Sequence, residues 1–175
     1  MTLIKIGLEV IMRYTIIFHF LILIPNLLFS QIKPTDLSQV EPHIAFNPLN
    51  FNNIVVTTIA IEENVENWIS VFYSTDGGEA WSGEDKFSAP GGADPVIAFD
   101  PDGIAYLLYQ IRDERALFLH KSSDGGKSWS SPITVVQFDD PQNVDRPWMA
   151  ISSVRNANGF YDIYVAFLHQ TGERR

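Results

Sequence analysis

The sequence predicts an all-β chain assembled from repeated four-stranded antiparallel units of about 50 residues. Three observations predict it. The apolar runs are short, rich in Val, Ile, Phe and Tyr, and broken by Gly, Pro, Asn and Asp, and no helical period persists beyond two turns. The pattern S-x-D-G-G-x-x-W occurs twice, as Ser74-Thr75-Asp76-Gly77-Gly78-Glu79-Ala80-Trp81 and as Ser122-Ser123-Asp124-Gly125-Gly126-Lys127-Ser128-Trp129, with the aspartates 48 positions apart. An acidic residue, a proline and a strand of form x-[IM]-A-[FI] occur three times, in Glu41-Pro42-His43-Ile44-Ala45-Phe46, Asp94-Pro95-Val96-Ile97-Ala98-Phe99 and Asp145-Arg146-Pro147-Trp148-Met149-Ala150-Ile151. The three prolines lie 53 and 52 positions apart. Two independent motifs with one period and one phase are the signature of a β-propeller, in which each blade is one four-stranded sheet.

The elements follow in order. Arg13 precedes an apolar run over 14–24, then Pro25, Asn26, Leu27-Leu28-Phe29 and Ser30-Gln31. A basic residue, an apolar core and a small residue before a polar stretch predict a signal peptide over 1–30, and hence a secreted, periplasmic or cell-surface protein. Met12 offers a more compact start than Met1. An uncleaved anchor is the alternative, but Pro25 and the short run count against a span of about 20 residues. Residues 31–40 are polar, contain Pro34 and read as a linker.

The propeller then runs over 41–175. Blade one (41–93) is expected to have strands near 44–46, 54–61, 68–74 and 86–88, with S-x-D-G-G-x-x-W turning the chain between the third and fourth. Blade two (94–144) is expected to have strands near 96–99, 105–111, 116–122 and 133–136. Blade three begins at 148–151 and continues over 161–169 without a third copy of the motif. Two and a half blades fall short of the roughly four to eight that close a ring. The expectation is therefore the N-terminal part of a longer protein. A complete small protein that oligomerises is the alternative, and it would leave two sheet edges exposed.

Composition excludes several classes. The net charge is −9, which leaves no basic footprint for nucleic acid. The absence of cysteine removes disulfides, thiolate metal sites and a cysteine nucleophile. A hydrophobic content of 46% is enough for a packed core.

The physics of the repeated octapeptide is local. The aspartate accepts backbone N–H groups, the glycines supply positive φ, the serine adds a turn bond, and the tryptophan returns to an apolar surface. Both copies resemble the Asp-box, or bacterial neuraminidase repeat, of sialidases and related propellers, whose pattern is S-x-D-x-G-x-[TS]-W. The second copy fits throughout, while the first carries Ala80 where Thr or Ser is usual. The resemblance implies a six-bladed ring, a carbohydrate or glycoconjugate partner, and, if the protein is an enzyme, an exo-acting glycoside hydrolase. It assigns Ser74, Asp76, Gly78, Trp81, Ser122, Asp124, Gly126 and Trp129 to structural turns. In sialidases three arginines hold the substrate carboxylate, a Tyr/Glu pair supplies the nucleophile and an Asp serves as acid/base. The first of those arginines sits on the first inner strand, where this chain reads Val40-Glu41-Pro42-His43-Ile44. An acid there would repel a carboxylate sugar, so no catalytic residue is carried over. The leading reading is a glycan-directed hydrolase or relative. The alternative is a non-catalytic propeller for adhesion, carbohydrate binding or protein binding.

In a propeller the starts of the inner strands surround the channel mouth, so Glu41, Asp94, Asp145 and Arg146 are the candidate ligand contacts. An acid before proline can equally be a turn or capping device, and that reading stays open. Arg146 looks like an insertion between the acid and the proline, which structure alone does not require. Trp81 and Trp129 read as core, and so do Trp68 and Trp148, with stacking on a sugar the alternative for the last two. Asp100-x-Asp102-Gly103 lacks the remaining ligands of a calcium loop and reads as a turn. Arg112-Asp113-Glu114-Arg115 reads as a solvated hairpin tip. His43, His120 and His169 lack metal-ligand spacing, and no metal or cofactor is expected.

Overall fold

The structure, a computed structural model, describes residues 3–5, 30–32, 34–63, 65–137 and 144–169. They form twelve strands and no helix, in antiparallel sheets as the alternation of short apolar runs predicts. A small pair, β1 (Leu3–Lys5) and β2 (Ser30–Ile32), forms a two-stranded antiparallel sheet. The apolar stretch expected to be a signal peptide lies outside the described residues. No helix among the described residues is long and apolar enough to cross a membrane.

The first four-stranded sheet has the order β3 (Ser38–Asn47), β4 (Asn50–Ile61), β5 (Trp68–Ser74) and β6 (Ser82–Glu84). The second has β7 (Gly92–Phe99), β8 (Ala105–Ile111), β9 (Ala116–Ser122) and β10 (Ile133–Gln137), each strand beside its sequence neighbour. The third contains β11 (Val144–Arg155) and β12 (Tyr161–His169). Two expectations need correction. The fourth strand of the first sheet is Ser82–Glu84, not 86–88, because the chain re-enters the ladder directly after Trp81. Residues beyond it are still tethered: the Phe87 amide donates to Ile69 O at 2.8 Å, and Ser88 Oγ accepts the Ile69 amide at 3.0 Å. The linker is also shorter than expected, because Ser38, Gln39 and Val40 already pair with Ile61, Ala60 and Ile59.

The sheets stack face to face, and this explains the continuous apolar run of β8. Its Leu107, Tyr109 and Ile111 pack with Val55, Ile69 and Val71 of the first sheet. Its Leu108 faces the other way, into a second core with Val96, Leu117 and Met149 of the third sheet. A strand covered on both faces cannot alternate apolar with polar. At the two ends of the stack the faces are uncovered. Ile44 and Phe46 are about half exposed on the first sheet, as are Trp148, Tyr164 and Leu168 on the third.

The edge strands β3, β7 and β11 lie next to one another, β7 between the other two. Each carries the same bulge. Val40 pairs with Ile59 and His43 with Thr57, so Glu41 and Pro42 oppose one residue. Ala93 and Val96 flank the same shift against Gln110 and Leu108, as do Asp145 and Trp148 against Leu168 and Ala166. Proline has no N–H for a ladder, so it is confined to edges and bulges, and here it occupies both. The residue before each proline takes a left-handed backbone: φ is 52° at Glu41, 48° at Asp94 and 50° at Arg146.

Candidate functional site

The bulges re-aim the side chains at the start of each edge strand. Residues 41–43, 94–96 and 146–148 thereby line one open groove of about 440 Å³. Glu41, Asp94 and Arg146, expected near one mouth, all belong to it. Asp145 does not line it; it pairs with Leu168 in the ladder instead. The reading of Arg146 as an insertion is corrected by the backbone. Arg146 stands directly before its proline, at the same left-handed φ as Glu41 and Asp94, so it is their counterpart and Asp145 precedes the bulge. Arginine cannot accept a backbone N–H, so a capping acid is not what this position requires.

The groove has a definite charge arrangement. The Glu41 and Asp94 carboxyls are neighbours in the groove and act on one another electrostatically. Burial, then the interaction with Asp94, push the Glu41 carboxyl above the usual range, while the charges of Arg112 and Arg146 pull it back. Asp94 is held from behind by the side-chain amide of Gln110, which donates to its Oδ2. Gln110 is buried on β8. Both Gln110 and Arg112 were missed in the sequence. Gln110 sits inside an apolar run, where a lone polar residue was the available signal, and Arg112 was assigned to a solvated tip.

The wall of the groove is aromatic. Trp148 is 61% exposed, which overturns its reading as core. Its ring meets His43 edge-on at 5.4 Å. The Ile97 amide donates to His43 Nδ1 at 3.3 Å, and burial lowers the His43 pKa, which favours the neutral imidazole that can accept this bond. Trp68, the other stacking candidate, is half-buried away from the groove, with the Lys86 ammonium 5.2 Å from its ring centre.

The remaining candidates are structural. In the first octapeptide turn Ser74 Oγ donates to Asp76 Oδ1 at 2.8 Å and accepts the Gly78 amide at 2.8 Å, while Asp76 accepts the Glu79 and Ala80 amides. Trp81 Nε1 closes the turn on Gly78 O at 3.1 Å. The second turn repeats this with Ser122, Asp124 and Gly126, and Ser128 adds a hydroxyl donor to Asp124 Oδ2 that Ala80 cannot supply. Trp129 packs against the core between the first two sheets. Asp100 accepts the Asp102 and Ile104 amides at 2.9 Å, as a turn residue does. Asp102 pairs with Arg155 and accepts the Tyr161 hydroxyl. His120 is buried between Tyr109 and Ser130 O. Among the described residues no group of three potential metal ligands occurs.

No protein-family model matches the chain, and no curated protein is significantly similar to it.

Proposed function

We propose that the chain is part of a secreted, sialidase-like Asp-box propeller that holds carbohydrate at the groove formed by residues 41–43, 94–96 and 146–148. The observation that carries this reading is the convergence of three equivalent bulges on one groove, with charged side chains beside an exposed tryptophan. Carboxylates and guanidinium groups hydrogen-bond sugar hydroxyls, and an indole face packs on the apolar C–H face of a pyranose. A volume of about 440 Å³ lies within the range of small-molecule sites, roughly 300–1,000 Å³. The propeller part rests on the repeated octapeptide turns and on the uncovered apolar residues outside the groove at both ends of the stack, Ile44 and Phe46 on the first sheet and Tyr164 and Leu168 on the third, which would meet a further blade.

A hydrolase is the second reading, favoured by one observation. A carboxyl pushed above its usual range, as at Glu41, suits a general acid. The test is a carbohydrate array together with chromophore release from a sialoside and from neutral glycosides. Binding without turnover supports the holding role, and turnover of a neutral glycoside moves the reading to a hydrolase. Failure of a folded protein to retain any glycan would overturn the carbohydrate assignment.

A further inference from the structure

The residue before each edge-strand proline combines a fixed backbone with a variable side chain. The three φ values agree within 4°, from 48° to 52°. The left-handed region is costly for most residues with a Cβ, and glycine, asparagine or aspartate fills it more cheaply. Asp94 is of that kind, but Glu41 and Arg146 are not. The turn itself does not need a particular charge, because both signs occupy the same bend. All three side chains reach one groove, and Asp94 is further braced by the buried Gln110.

We propose that Glu41, Asp94 and Arg146 are a repeated specificity position that selects the ligand's charge, and that the groove takes a neutral or amino sugar in preference to a uronic or sialic acid. The inference rests on the carbohydrate reading above. Two neighbouring carboxyls make the part of the groove between the first two sheets a site for hydroxyl or ammonium donors. Arg146 offers the third sheet's side to acceptor oxygens. A ligand carboxylate placed between Glu41 and Asp94 would meet like charge at hydrogen-bond range, whereas an ammonium would meet two acceptors.

The test keeps one ring and changes only its charge. The full chain is titrated with glucosamine, glucose and glucuronate while the Trp148 indole resonance is followed. Wild type is expected to bind glucosamine most tightly and glucuronate at least about tenfold more weakly, a difference of about 1.4 kcal/mol. Glu41→Arg copies what the third bulge already carries, and it should reverse that order. Glu41→Gln combined with Asp94→Asn should bring glucosamine and glucose together, which covers the case in which Glu41→Arg does not fold. Glu41→Gly should weaken the preference without a fall in melting temperature, because glycine fits φ 52° freely. An unchanged order of affinities in the folded double variant sinks the selector and leaves carbohydrate binding standing. If wild type binds none of the three sugars, the carbohydrate reading falls and the selector falls with it.

Discussion

The side-chain amide of Asn53 donates to Gly125 O at 2.9 Å, across 72 positions of sequence. The same nitrogen donates to Ser74 O at 3.1 Å, and Asn53 Oδ1 accepts from Asn47 Nδ2 at 3.1 Å. One buried side chain on β4 thus ties the entry to the first octapeptide turn to the middle of the second. The stacking of the first two sheets therefore has a polar clasp beside its apolar core.

That clasp predicts the cost of removing it. Asn53→Ala leaves buried carbonyls without their donor, at about 1–3 kcal/mol for each unsatisfied group. A loss of about 2–4 kcal/mol in chemical denaturation is expected. A loss below about 0.5 kcal/mol would mean that the carbonyls find other partners.

The glycines of the turns separate two effects. Gly126 has φ +92°, and a Cβ there would stand 2.8 Å from Val55 Cγ2. Gly159 has φ +81° with open space around it. Gly159→Ala should cost only the left-handed backbone, about 1–2 kcal/mol. Gly126→Ala should cost a further ~1–3 kcal/mol for overpacking. Equal losses in the two variants would show that the second turn moves freely away from the first sheet.

The difference between the two octapeptide turns can be repaired. The Ser128 side chain donates to Asp124, whereas Ala80 donates to Asp76 only through its backbone amide and has no side-chain donor. Ala80→Ser should stabilise the fold by about 0.5–1 kcal/mol, the net worth of one hydrogen bond. A lower melting temperature would show that the added hydroxyl does not reach Asp76.

Acid should act through Asp124. Desolvation alone would raise its pKa, but the Ser128 hydroxyl and amide, the Ser122 hydroxyl and the Lys127 amide outweigh it and hold the carboxyl at about 2. In the unfolded chain an aspartate titrates near ~3.9. The folded pKa is the lower one, so the unfolded state binds protons first as pH falls. The stabilisation is complete above about pH 4 and is lost as pH falls towards about 2. Asp124→Asn should flatten this part of the stability curve. An identical acid limb in the variant would assign the loss to other carboxyls.

Trp148 should behave as a surface residue. It is 61% exposed, so Trp148→Ala should cost less than about 1 kcal/mol of stability while weakening sugar binding. A large fall in melting temperature would place the indole in a packing role.

Much of the second sheet was legible in sequence, because its strands are bounded by strong turn signals. The expected β8 and β9 coincide with Ala105–Ile111 and Ala116–Ser122. The fourth strand of the first sheet was misplaced because Ser82-Gly83-Glu84 has neither β-branched nor aromatic residues to mark it. It pairs only because β5 offers a free ladder edge. Trp148 was misread for a related reason: large apolar residues usually pack inward, and the sequence could not show that the indole follows a bulge and lines the groove edge-on to His43.

The sequence by itself determined the all-β class, the period of about 50 residues and the octapeptide turns. These are local, since a turn needs only its own glycines, aspartate and serine, and a strand only its own pattern. Tertiary structure alone decided that Glu41, Asp94 and Arg146 are equivalent. Their likeness is one of backbone angle and bulge, not of side chain, and chemically they read as two acids and an unrelated cation. It also decided that Gln110 braces Asp94 and that Asn53 joins the two turns, because such bonds exist only once separate strands have been brought edge to edge and face to face.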